Sequence, residues 1–163
     1  MGELDNYVQI MINSLEKKAV ILDRLISKTK EQAEILKSAE FDNVDWDQFN
    51  MVMTEKEEEI EHINEMDQGF QALYDRVGEQ LKTDKSQYTD AIKRMQELIK
   101  LLEEKSIQIR AGEERNRTMI SSILGGRKKE IKQTRNSMKV ASSYYQTMSK
   151  TLGADYSSVD KKK

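Results

Sequence analysis

The chain contains no proline among its 163 residues, and no other feature of the sequence constrains the fold as strongly. Proline interrupts helices and is common in turns and linkers, so a chain without it can form long uninterrupted helices. Glycine is also sparse, with seven residues. The sequence therefore predicts long helices with few connections, and it argues against β-sandwiches, β-barrels and proline-rich disordered linkers.

Apolar residues recur at alternating spacings of three and four, which is typical of helices that pack along one seam. The first seam, in a helix of about 3–39, comprises Val8, Ile12, Leu15, Ala19, Leu22, Ile26, Thr29, Ala33 and Leu36. The second, in a helix of about 45–82, comprises Trp46, Phe49, Met53, Lys56, Ile60, Ile63, Asp67, Phe70, Tyr74, Val77 and Leu81. The third, from about residue 86, comprises Tyr88, Ile92, Met95, Ile99, Leu102, Ser106 and Ile109. Short connections predict an all-α fold, an elongated antiparallel bundle of three long helices.

The breaks between the seams carry capping side chains. Asp45 and Gln48, and again Asp84 and Gln87, stand three apart, as in a capping box at a helix start. The third seam turns polar just after Gly112, where the packing is expected to loosen. Beyond Gly125-Gly126, a weaker seam predicts a marginal fourth helix and comprises Ile131, Thr134, Met138, Ala141, Tyr145, Met148 and Leu152. We therefore expect a bundle core over 1–111, a mobile region over 112–152 and a disordered tail over 153–163.

The sequence offers no constellation typical of an enzyme. Without cysteine there are no disulfides, thiol nucleophiles or thiolate metal sites. Glu59 and His62 have a Glu-x-x-His spacing, but di-iron bundles use that motif twice and His62 is the single histidine. The glycine pair at 125–126 lacks the Gly-Lys-Ser/Thr ending of a phosphate loop and favours a hinge. We expect no catalytic residues, no metal and no cofactor.

Charge is distributed unevenly along the chain. Residues 40–67 carry eleven acids against one base, whereas residues 110–139 carry nine bases against three acids. Two interpretations stand: both stretches are solvated faces, or the basic region docks on an acidic face of this chain or of a partner. A pI near 5.6 and basic residues without interleaved aromatics argue against nucleic-acid binding. No apolar run approaches the roughly 18 residues of a membrane span and no secretory signal is visible, so we expect a cytoplasmic protein without membrane insertion.

Nine methionines are numerous for a chain of this length. Methionine at helical spacing commonly fills a core, but its flexible side chain also suits surfaces that repack around a partner's helix. Met119, Met138 and Met148 lie in the weakly patterned C-terminal third. Such a segment would be marginal alone and would gain order on binding.

Two stretches resemble one family. The run Lys56-Glu57-Glu58-Glu59-Ile60, leading to Phe70 and Tyr74-Asp75-Arg76-Val77, resembles the central helix of FlgN-type flagellar export chaperones. The later run Arg115-Asn116-Arg117-Thr118-Met119-Ile120 is similar to their C-terminal region, in which an asparagine precedes an apolar stripe and a tyrosine closes it. That stripe continues here through Ile123-Leu124, Ile131, Arg135, Met138 and Tyr144-Tyr145.

The resemblance implies a helical-bundle chaperone for flagellum assembly by type III export. Such a protein would bind the C-terminal helices of hook-filament junction proteins, prevent their premature assembly and bring them to an export gate component, as a monomer or weak homodimer. By the same resemblance, the client groove would be lined by Asn116, Met119, Ile120, Ile123, Leu124, Ile131, Met138 and Tyr145. The alternative hypothesis is a non-enzymatic coiled-coil scaffold or adaptor that self-associates through its seams.

Overall fold

The chain forms long helices joined by short turns. A computed structural model describes residues 2–125, 139–140 and 142–148, and these contain no β-strand. The three long helices are α1 (Glu3–Ile35), α2 (Trp46–Thr83) and α3 (Thr89–Gly125), and 3-10 turns at Leu36–Ser38 and Phe41–Asn43 connect α1 to α2. Residues 142–148 are also helical and are called segment 142–148 below. The all-helical prediction is confirmed for the described residues.

One of the two predicted helix caps is confirmed and the other is wrong. The Asp45 side chain accepts a hydrogen bond from the backbone N–H of Gln48 at 3.0 Å and caps α2. Asp84 instead follows the last residue of α2, and its backbone oxygen accepts from the N–H of Gln87 at 2.9 Å within a turn. Because that turn continues past Gln87, α3 begins only at Thr89.

Side-chain pairs fix the relative direction of α1 and α2. Lys18 pairs with Asp67 at 2.9 Å and Lys28 pairs with Glu55 at 2.7 Å. Residue numbers therefore rise along α1 as they fall along α2, so the two helices run in opposite directions. The Lys18 ammonium is buried, and its contact with Asp67 satisfies a charge that would otherwise destabilise the interface.

The contacts between α1 and α3 show that these two helices run parallel. The Tyr88 hydroxyl donates to Asp5 at 2.6 Å, and Lys105 pairs with Asp23 at 2.5 Å. Close backbone approaches join α1 to both other helices, whereas α2 and α3 approach each other far less. A groove therefore separates Trp46–Thr83 from Thr89–Gly125, and we call it the α2–α3 groove.

The core follows the predicted seams of α2 and α3, but only half of the predicted seam of α1. One column of α1 is buried as predicted and comprises Val8, Leu15, Leu22, Thr29 and Leu36. The other column lies one residue earlier than predicted and comprises Met11, Lys18, Leu25 and Gln32, while Ile12, Ala19, Ile26 and Ala33 are half-buried. The prediction failed because Lys18 and Gln32 are polar, yet both find partners on α2.

The predicted loosening near Gly112 is not observed. Helix α3 continues through this residue to Gly125, and Gly112 is buried. A Cβ atom at Gly112 would stand 3.0 Å from Cγ2 of Thr29, so α1 and α3 approach closely here. The polar interruption of the third seam is therefore packed.

Candidate functional site

Segment 142–148 occupies one end of the α2–α3 groove. Tyr144 is fully buried, and Met148 is nearly so. On the α2 side, the Ser143 hydroxyl donates to the Glu57 carboxylate at 2.5 Å. On the α3 side, the Arg117 guanidinium lies 4.8 Å from the centre of the Tyr145 ring. The segment therefore bridges two helices that otherwise meet only sparsely.

Beneath Tyr144, a buried ion pair crosses the groove. The Lys56 ammonium of α2 contacts the Glu113 carboxylate of α3, and both side chains are excluded from solvent. The same ammonium donates to the Gln32 side-chain oxygen at 2.6 Å and lies 4.4 Å from the centre of the Tyr144 ring. Two acceptors and an aromatic face thus compensate the buried positive charge.

One oxygen of Glu113 collects several donors. Oε1 accepts from Lys56 and from the Tyr144 hydroxyl at 2.9 Å, and Oγ1 of Thr29 lies 3.0 Å away. The Thr29 hydroxyl also lies 2.7 Å from the backbone oxygen of Leu25, and its single proton can serve only one of the two acceptors. Oε2 of Glu113 is buried and has no hydrogen-bond partner among the described residues.

The surrounding polar groups hold this arrangement in place. The Asn116 amide donates to the backbone oxygen of Thr29 at 3.1 Å, and the Gln32 amide donates to the backbone oxygen of Phe49 at 3.3 Å. All three helices and segment 142–148 contribute to what we call the buried polar cluster, which comprises Thr29, Gln32, Lys56, Glu113, Asn116 and Tyr144.

Burial and the shared carboxylate set the ionisation of the cluster. Burial lowers the pKa of Lys56, and the adjacent Glu113 carboxylate partly offsets that shift. Burial also raises the pKa of the Tyr144 hydroxyl, and Glu113 raises it further. The pKa of Tyr145 is raised for the same two reasons. Both phenols are therefore protonated at neutral pH, and the cluster holds the Tyr144 hydroxyl as a donor on the Glu113 carboxylate.

The structure places the predicted client-groove residues in different environments. Asn116 and Ile123 are buried, and Asn116 is already engaged by Thr29. Four others are half-buried and pack on the core, namely Met119, Ile120, Leu124 and Tyr145. Ile131 and Met138 lie outside the described residues. The role of these eight residues in client binding stays a prediction.

At its opposite end the α2–α3 groove forms an apolar cleft. The cleft encloses about 380 Å³, including the solvent at its mouth, and is lined by Tyr74, Gly78, Leu81, Lys82, Lys85, Ile92 and Met95. A Cβ atom at Gly78 would stand 3.3 Å from the Tyr74 ring, so the absence of a side chain allows that ring to lie flat on α2.

Sequence analysis placed Lys56 in the second seam and noted that the third seam turns polar just after Gly112, but it did not pair Lys56 with Glu113. It named Tyr144 in the C-terminal stripe but not among the site residues. The available signal was the opposite charge of Lys56 and Glu113, each on the apolar face of its helix. His62 is exposed, and the described part of the chain holds no group of three side chains suited to a metal ion.

Of the helices in the described ranges, none combines the length and apolar character that a membrane span requires. Comparison with protein-family models, with curated proteins and with solved structures finds no match to this chain.

Proposed function

We propose that this protein is a cytoplasmic chaperone of flagellar type III export. In this role it binds C-terminal helices of hook-filament junction proteins, prevents their premature assembly and brings them to an export gate component. The sequence resemblance to FlgN-type export chaperones supports the choice of family. The observation that carries helix binding is the α2–α3 groove, which already accepts one helical segment across a sparse interface between two long helices.

The physical chemistry of the groove favours binding over catalysis. The charged groups of the buried polar cluster are sealed beneath Tyr144 and have no access to a solvent-borne substrate. An elongated antiparallel arrangement of three helices would instead present a long, narrow surface to an amphipathic helix. Apolar burial would supply roughly 25 cal/mol per Å² before ordering costs are subtracted.

The proposal is tested by the binding of the purified chain, residues 1–163, to the C-terminal helical segment of a hook-filament junction protein. Light scattering after size exclusion should show a 1:1 complex. The substitution Ile120→Asp places a charge on the half-buried face of α3 and should weaken binding about tenfold or more. The matched control is Ile107→Asp, because Ile107 is 58% exposed on the same helix and lies outside the predicted groove.

Two results would contradict the proposal. One is that no flagellar segment binds to wild-type chain whose circular dichroism is helical. The other is a stable homo-oligomer that does not bind the client. That result would favour the coiled-coil scaffold or adaptor.

A further inference from the structure

We propose that segment 142–148 occupies the partner's place in the α2–α3 groove. A partner helix exchanges with this segment and is selected for a tyrosine whose hydroxyl reaches Glu113 as Tyr144 does. This inference rests on the proposed function only in taking the groove as the helix-binding surface. It adds a chemical criterion by which the groove distinguishes one amphipathic helix from another.

The criterion follows from the fixed, buried acceptor. Glu113 is held by its ion pair with Lys56 of α2, and Oγ1 of Thr29 of α1 lies 3.0 Å from the same oxygen. The carboxylate therefore remains in the groove when the segment leaves. A partner with phenylalanine or leucine at this position would fill the space of the Tyr144 side chain, but it would have no hydroxyl to donate to the Glu113 carboxylate. Sites built to hydrogen-bond a hydroxyl discriminate against analogues that lack it. Here Oε1 of Glu113 would keep Lys56 but would lose one buried hydrogen bond to a charged acceptor.

The attachment of the segment is local, which makes exchange feasible. Its buried side chains are Tyr144 and Met148. Outside the cluster, Ser143 contacts the half-buried Glu57 of α2 and Tyr145 contacts the exposed Arg117 of α3. The ion pair of Lys18 with Asp67 and the hydrogen bond of Tyr88 to Asp5 join α1 to α2 and to the start of α3 without the segment. Because it is covalently tethered, the segment competes with any external helix at high effective concentration.

The segment also defines the pattern that a partner should carry. Tyr144 and Met148 are four residues apart and therefore lie on one helical face, both buried. Ser143 faces the Glu57 carboxylate as a donor, so an acidic residue at that position would be repelled. The expected partner is an amphipathic helix with a tyrosine, an apolar residue four positions later and no carboxylate beside the tyrosine.

The test measures how tightly a fluorescent synthetic peptide, with the sequence of residues 136–152, binds to the chain of residues 1–163. Fluorescence anisotropy should show the peptide binding the Tyr144→Ala chain about tenfold or more tightly than wild type, because the weakened internal segment no longer competes. A peptide with Tyr144→Phe should bind the same chain about tenfold more weakly than the parent peptide, because it lacks the donor to a charged acceptor. The control peptide carries Gln146→Ala, since Gln146 is exposed.

If the Tyr144→Ala chain is not helical, the Tyr144→Phe chain replaces it, because the ring is kept and only the internal hydroxyl is lost. Equal binding of the parent and Tyr144→Phe peptides, or no peptide binding to a folded variant, overturns the inference. A flagellar segment that binds while the peptides show no hydroxyl dependence overturns this inference alone. Hydroxyl-dependent peptide binding without capture of a flagellar segment supports the inference and contradicts the proposed function.

Discussion

Lys56 and Glu113 are charged residues buried where most helical bundles place leucine or isoleucine. Removing two charges from water is costly, and their attraction repays the cost only when geometry and additional hydrogen bonds are favourable. Here Gln32 and Tyr144 supply those bonds. A slide of α3 against α2 by one helical turn, about 5.4 Å, would separate the pair, so the ion pair favours one register of these two helices.

Breaking this pair from one side should be strongly destabilising. We expect Lys56→Met to lower the free energy of unfolding by about 3–5 kcal/mol, because the Glu113 carboxylate stays buried without its cation. The double variant Lys56→Met/Glu113→Leu should recover much of that loss, because both charges are gone. Urea unfolding followed by circular dichroism measures all three proteins.

The surface pair of Lys28 and Glu55 provides the control. Lys28→Met removes a partly exposed ion pair and should cost less than about 1 kcal/mol. A double variant no more stable than Lys56→Met would show that the two charges do not compensate each other.

The helices differ in how well their packing could be predicted from sequence. The seams of α2 and α3 were predictable because their buried residues, including the polar ones, keep to the predicted alternation of three and four. In α1, the periodic apolar pattern leads to Ile12, Ala19 and Ile26, which are only half-buried. The true second column contains Lys18 and Gln32, whose burial depends on partners from another helix. Local periodicity carries no information about those partners.

Two of the helical glycines, Gly69 and Gly112, provide a matched test of helix packing. A Cβ at Gly69 meets no atom within 4 Å, so Gly69→Ala should stabilise the protein by about 0.5–1 kcal/mol through backbone entropy. A Cβ at Gly112 meets Cγ2 of Thr29, whose hydroxyl contacts hold that side chain in place. We therefore expect Gly112→Ala to lower the free energy of unfolding by about 1 kcal/mol, although it brings the same gain in backbone entropy.

Thermal and urea unfolding of both variants measure this difference. The variant Thr29→Ser/Gly112→Ala removes the obstructing methyl group while keeping the hydroxyl, and it should be more stable than Gly112→Ala. Equal stabilisation by Gly69→Ala and Gly112→Ala would contradict the close approach of α1 and α3.

The buried polar cluster illustrates which part of a site sequence reasoning cannot reach. Lys56 and Glu113 are 57 residues apart, and Thr29 and Glu113 are 84 apart. Each residue could be recognised as polar within its own seam, but their meeting depends on the register of three helices. Tyr145 was chosen as the site residue because it fits the weak heptad better than Tyr144, whereas tertiary packing buries Tyr144.

The stability of the whole protein depends on pH through tyrosines and lysines that act in opposite directions. The raised pKa values of Tyr144 and Tyr145 contribute stability that is fully present below pH 10.0, the ordinary tyrosine pKa, and is lost as pH rises above it. The lowered pKa values of Lys18 and Lys56 act oppositely, because their burial penalty is relieved as pH approaches 10.5. Wild type should lose stability above about pH 10, and Tyr144→Phe should lose it less steeply.

Urea midpoints between about pH 8 and pH 11 measure both curves. Both lysines are present in each protein, so the difference between the curves isolates the Tyr144 hydroxyl. Parallel curves would mean that this hydroxyl does not ionise with a raised pKa in the folded protein.

The pairing of α1 with α3 has a consequence for biosynthesis. Asp5 and Tyr88 are 83 residues apart, and the pairs further along these helices are separated by similar intervals. A ribosome therefore releases α1 long before the surface that completes it, whereas α2 follows directly and can form a hairpin with it. The face of α1 that packs on α3 therefore stays exposed in the nascent chain while α2 is synthesised. We expect chaperones that bind nascent chains to bind this face.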